Sequence, residues 1–153
     1  MTNMKKPHKN IILFLVGFVV YMLIELIYRQ HTYLLMGCCG GVIILILDKI
    51  NDKISWDVDL LLQGSIGSLV ITFFEFIIGE LFIHNYIPVM WDYSNMPLNY
   101  KGIICLPFSA IWFLLSIGAV FLADAINYYL LNEKDTVPYY KMFGKIILKF
   151  KEK

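Results

Sequence analysis

The sequence predicts an all-α membrane protein, a four-helix transmembrane bundle, on three observations. Four apolar runs are long enough to cross a bilayer, and 59% of the 153 residues are hydrophobic. The basic residues also gather where four crossings would put them on one side. A hydrocarbon core about 30 Å thick takes about 20 helical residues to span. The mean hydropathy of +0.67 is well above that of a water-soluble domain. Any function must therefore be built from the few polar groups left in lipid.

The expected spans are approximately 11–28, 33–50, 60–85 and 103–131, forming one transmembrane domain over 1–131. The first follows a basic arm with Lys5, Lys6 and Lys9, which resembles the leader of a signal peptide. Its apolar run is too long for one, however. It ends in Glu25-Leu26-Ile27-Tyr28-Arg29 with no small-residue cleavage site, so it reads as a retained helix. The second run, Tyr33–Leu47, is short and holds Gly37, Gly40 and Gly41. A re-entrant hairpin is its rival reading. Only a full crossing keeps the charges consistent.

Those charges give the orientation. The arm has three lysines, the loop after the second span has Lys49 and Lys53, and the tail 132–153 has six. The opposite side has only Arg29 and Lys101. Cytoplasmic loops carry the excess of Lys and Arg, so both termini are expected in the cytoplasm. An odd number of spans would separate the basic arm from the basic tail.

Ionisable groups inside a span cost roughly 2.5–3.5 kcal/mol each at its centre, so each needs a reason. They are Glu25, Glu75, Glu80 and Asp124. With this topology the three glutamates fall in the outer half of the bundle, and Asp124 stands apart near the cytoplasmic end of span four. Tyr21, Glu25 and Arg29 recur every four residues and so share a helix face. In the third span Ser65, Ser68, Thr72, Glu75 and Gly79 recur at three and four. Such a small, polar seam is what packs helices in lipid, where no hydrophobic drive brings them together. Glu75 is therefore expected to point into the bundle.

These groups suggest an outward-facing pocket of Glu25, Arg29, Glu75 and Glu80, with His84 nearby, for a cation, a proton or a polar headgroup. The bland alternative is that Arg29 neutralises one carboxylate while another bonds across helices. The loop from Pro88 to Gly102 offers Trp91, Asp92, Tyr93, Pro97 and Asn99. It reads either as a lid over the pocket or as an interfacial turn with its aromatic rings in the headgroup layer. In the tail, Lys141, Lys145, Lys149 and Lys153 repeat every four residues opposite Met142, Phe143, Ile146, Ile147 and Phe150. That spacing predicts a short basic amphipathic helix on the anionic inner leaflet.

Other chemistry has little support. Cys38 and Cys39 are adjacent and Cys105 is remote, so neither a disulfide framework nor a zinc site is expected. There is no phosphate loop, GxSxG, HExxH or CxxC pattern. No enzyme activity, cofactor, metal or nucleic-acid partner is expected.

Three segments resemble the CmpB-like family of small bacterial type IV ABC-transporter permeases. They are Tyr21-Met-Leu-Ile-Glu25 continuing to Arg29 and Gly37; Phe73-Phe-Glu75-Phe with Gly79; and Trp91-Asp-Tyr-Ser94, Pro97-Leu-Asn99, Gly102-Ile-Ile-Cys105-Leu and Trp112. The likeness covers about Tyr21 to Asp124 and leaves the arm and tail outside. It implies a multi-pass protein of the bacterial plasma membrane in which Glu25, Arg29, Glu75, Trp91, Asp92, Pro97 and Asn99 matter. The expected function is a permease-like component for a small polar or cationic solute. Its partners would be the bilayer, a second copy or another membrane subunit, and a separate ATPase if ATP drives it. A non-transporting scaffold or lipid-binding subunit is the alternative, and an intramembrane enzyme acting on lipid headgroups a second one.

Overall fold

The computed structural model describes residues 6–133 and 136–153; Lys5 of the arm and Lys134 of the tail lie outside them. Four helices carry the chain: α1 Lys6–Arg29, α2 Leu34–Asn51, α3 Leu60–Ile83 and α4 Leu106–Ala125, the last continuing as a π-helical turn over Ile126–Leu130. All four are long and apolar enough to cross a membrane. The second is a full 18-residue helix, so its glycines do not break it into a re-entrant hairpin.

Those glycines instead let α1 and α2 approach closely. A Cβ placed on Gly17 would lie 2.8 Å from the Gly40 carbonyl oxygen, and one on Gly41 would lie 2.8 Å from that of Phe14. Dense packing of small residues is the main source of helix association in lipid. The α3–α4 pair adds hydrogen bonds to the same device. Ser116 Oγ donates to the Gly64 carbonyl over 3.0 Å, and Ser68 Oγ to the Ser109 carbonyl over 2.6 Å. Thr72 Oγ1 lies 3.1 Å from Ser109 Oγ. Of the seam read from the sequence, only Ser65 turns away; it is exposed and bonds back to Leu61.

The α3–α4 connection is folded, and α4 begins at Leu106, three residues later than the sequence suggested. Residues Asn99–Tyr100 (β1) and Ile104–Cys105 (β2) form a small antiparallel ladder around a turn at Lys101 and Gly102, both at positive φ. Trp91 and Tyr93 are buried with Met36, Phe82, Ile103 and Cys105, so they are core residues, not members of an interfacial belt. Tyr100 alone of the three rings is exposed.

The tail departs from the expected basic amphipathic helix: it is a β-hairpin. Tyr139–Met142 (β3) pairs antiparallel with Lys145–Lys149 (β4), with a register shift at Tyr140/Lys141. Lysines four apart fit a helix, but Phe143 and Gly144, both at positive φ, sit midway and turn the chain. The flanking Tyr139-Tyr140 and Ile146-Ile147 favour strands. A lone hairpin is marginal in water. This one is anchored by Tyr140, 0% exposed, which packs beneath the bundle with Leu60 and Val120. Lys141 faces Asp57, while Lys145 and Lys149 are exposed.

Candidate functional site

The structure places two polar centres at opposite ends of the bundle. The first lies at the end bearing the α3–α4 loop, in a cavity of about 300 Å³. Glu25 and Arg29 reach it from α1, Glu75 from α3, and Trp91, Asp92 and Tyr93 from the loop. Tyr21, Tyr28, Phe108 and Trp112 complete an aromatic wall.

Each acid is held differently. Glu25 accepts from its i+4 neighbour Arg29 through one oxygen and from Thr32 through the other. Arg29 also donates to the Met90 carbonyl over 2.7 Å, tying α1 to the loop. Glu75 is 6% exposed and accepts from two neutral donors, Tyr93 Oη at 2.9 Å and Trp112 Nε1 at 2.7 Å. The three helices and the loop thus converge on two carboxylates, of which Arg29 neutralises one. Asp92, at the exposed rim, is held below the ordinary carboxylate value by the Ser94 hydroxyl and backbone N–H. Tyr93 is pushed up by burial and by Glu75, so the phenol stays a donor.

Glu80 lies outside this cavity. It pairs with Lys101 at 2.9 Å, with the exposed His84 at 3.8 Å, and so fastens the loop to the end of α3. The loop is a built-in roof: Trp91 Nε1 donates to the Ile103 carbonyl over 2.8 Å, and Tyr93 stacks on Phe108 at 4.4 Å. Asn99 shapes the turn behind it, accepting from Gly102 N–H and donating to the Met96 carbonyl. Pro97 is exposed beside that turn and lines no part of the cavity. Trp112 contributes as much to Glu75 as the loop does. Only its place in the family-like pattern drew notice to it in the sequence.

The second centre lies at the end where Lys9, Asp124 and the C-terminal hairpin meet. Asp124, 0% exposed, accepts from Asn51 Nδ2 at 3.0 Å and Tyr140 Oη at 2.6 Å. Asp48, 2% exposed, accepts from Asn127 Nδ2 at 2.6 Å and lies 3.0 Å from Lys9 Nζ. Buried charges are tolerated when paired and hydrogen-bonded in this way. Asp124 therefore does not stand apart. Its partners are spread along the sequence, and no local spacing pointed to them.

Among the described residues no group of His, Cys, Asp and Glu is arranged to hold a metal ion. No curated protein and no solved structure matches the chain. A family match runs over residues 30–148, so it begins just after Glu25 and Arg29 and takes in all but the last residue of the C-terminal hairpin that the resemblance had left outside. The matched family is the one described as "Putative ABC-transporter type IV"; the match covers well over half of the chain, and the protein belongs to that family.

Proposed function

We propose that the protein is a permease-like membrane subunit that binds a small cationic solute in the cavity roofed by the α3–α4 loop. One observation carries the reading. Glu75 is a buried carboxylate on a cavity wall whose hydrogen-bond partners, Tyr93 and Trp112, are both neutral. Aromatic faces and a carboxylate are the chemistry that recognises ammonium-type ligands, worth about 2 kcal/mol or more per ring when the cation is desolvated. With Arg29 committed to Glu25, the lining favours a positive guest.

In this reading the cavity lies in the outer half of the plasma membrane and both termini are cytoplasmic. Four helices enclose little space beyond their own side chains, so a path across the bilayer needs a second copy or another membrane subunit. If ATP drives the path, the ATPase is a separate chain. Reporters fused after Lys53 and after Lys101 should appear on opposite sides of the membrane; the same side for both would overturn the orientation.

The direct test is tetramethylammonium binding to the protein in lipid nanodiscs, measured by calorimetry. Saturable binding to the parent, lost in Glu75→Gln, is expected. Equal binding by parent and variant, or none by the parent, would reject the site.

A further inference from the structure

Below the acidic cavity lies a second one of about 300 Å³, lined by Gly17, Val20, Gly40, Ile44, Gly118 and Leu122 among others, with no charged side chain. The two share Tyr21, Ile24, Trp112 and Leu115, so they lie against each other with these side chains at their common boundary. Along it α1 and α4 face each other without close backbone packing, joined by the ring pairs Tyr28–Phe108 and Tyr21–Trp112. From Arg29 down to Gly17 is twelve residues of helix, about 18 Å at 1.5 Å per residue. The polar groups are all at the loop end and the apolar lining runs from there towards the middle of the bundle. That is the polarity of one bilayer leaflet, about 15 Å of hydrocarbon beneath its headgroups.

Glycine leaves room at one point of this groove, Gly118. A Cβ added to Gly118 would meet no atom within 4 Å. The absence of a side chain there is therefore not demanded by helix packing, unlike that of Gly17 or Gly40.

We infer that the guest is an amphiphile, its cationic head at Glu75 among the aromatic rings and its alkyl chain in the apolar groove between α1 and α4. This inference rests on the cation reading of the first cavity. The acidic lining sets the sign of the head, and the adjoining apolar cavity gives the chain a place to lie once it passes the Tyr21–Trp112 pair.

The test compares tetramethylammonium with octyltrimethylammonium, and octyl sulfate as a control of opposite charge, in nanodiscs of zwitterionic lipid. Parent, Gly118→Ala and Gly118→Leu are measured, each with a thermal melt. The bilayer itself takes up octyl chains in all samples, so the informative quantity is the ratio of octyl to methyl affinity in each protein. That ratio should fall by about tenfold in Gly118→Leu, the scale of forcing extra carbons into occupied space, and by less in Gly118→Ala. A ratio unchanged in both variants, or octyl sulfate binding tighter than octyltrimethylammonium, would overturn the inference. The first result would leave the cation site standing. Failure of the parent to bind tetramethylammonium would reject the site itself.

Discussion

Tyr140 donates its hydroxyl to Asp124 over 2.6 Å, joining the C-terminal hairpin to the end of α4. Burial, then the neighbouring carboxylate, push the phenol's pKa upward, so it remains a donor throughout the accessible pH range. Tyr140→Phe keeps the ring packed on Phe121 and removes only this bond. It should cost about 1–3 kcal/mol, the penalty for leaving a buried acceptor short of a donor. A melting temperature equal to that of the parent would show the bond to be dispensable.

The hairpin's docking should also depend on pH. Asp57 accepts from Lys141 at 2.5 Å and from Tyr139 at 2.9 Å. These contacts hold the Asp57 carboxyl below its ordinary value of 3.8 and raise Lys141 above 10.5. The Asp57 contribution is complete above 3.8 and is lost as pH falls through its lowered pKa. The Lys141 contribution is complete below 10.5 and is lost as pH rises through its raised pKa. Amide protection factors in residues 139–149 should therefore be level between these limits and decline beyond both. Asp57→Asn removes the carboxylate's titration and the partner that raises Lys141, so a pH profile identical to the parent's would exclude the pair as the cause.

The α1–α2 contact leaves no room for a side chain at Gly40. A Cβ there would lie 2.9 Å from Tyr21 Cγ and 3.0 Å from the Gly17 carbonyl oxygen. Gly40→Leu should destabilise the fold by about 1–3 kcal/mol or more, as overpacking does. The same replacement at Gly118 should leave the melt close to that of the parent. Similar losses at both positions would mean that the clearance difference between them does not decide, since helix propensity alone favours Leu over Gly at each.

Glu75 separates charge from hydrogen bonding. Glu75→Gln retains an acceptor for Trp112 or Tyr93 and should melt near the parent. Glu75→Leu strips both donors of their partner and should cost about 1 kcal/mol, the scale of interhelical bonds in membranes. If Leu is as stable as Glu in detergent, the carboxylate is not holding the bundle together.

How much of this was legible in the sequence depends on how local each determinant is. Span-length apolar runs and the Tyr21–Glu25–Arg29 face are read within one helix, and the structure keeps them. The tail misled because lysines four apart satisfy helical spacing, while the deciding feature was the single Phe143–Gly144 turn. Trp91 and Tyr93 resembled headgroup-layer residues because nothing local shows that α2 and α3 leave a pocket for them. The Asp48–Asn127 and Asn51–Asp124 pairs join residues more than seventy positions apart, beyond the reach of any periodicity.

The hairpin has one further consequence, in the order of synthesis. Asp124 lies in α4, and Tyr140 emerges after it. Until Tyr140 arrives, one of Asp124's donors is missing and that end of the bundle stays uncapped. A chain that has formed all four helices but lacks this strand pair therefore holds a buried carboxylate short of one donor, so the helices alone do not complete the packing of that end.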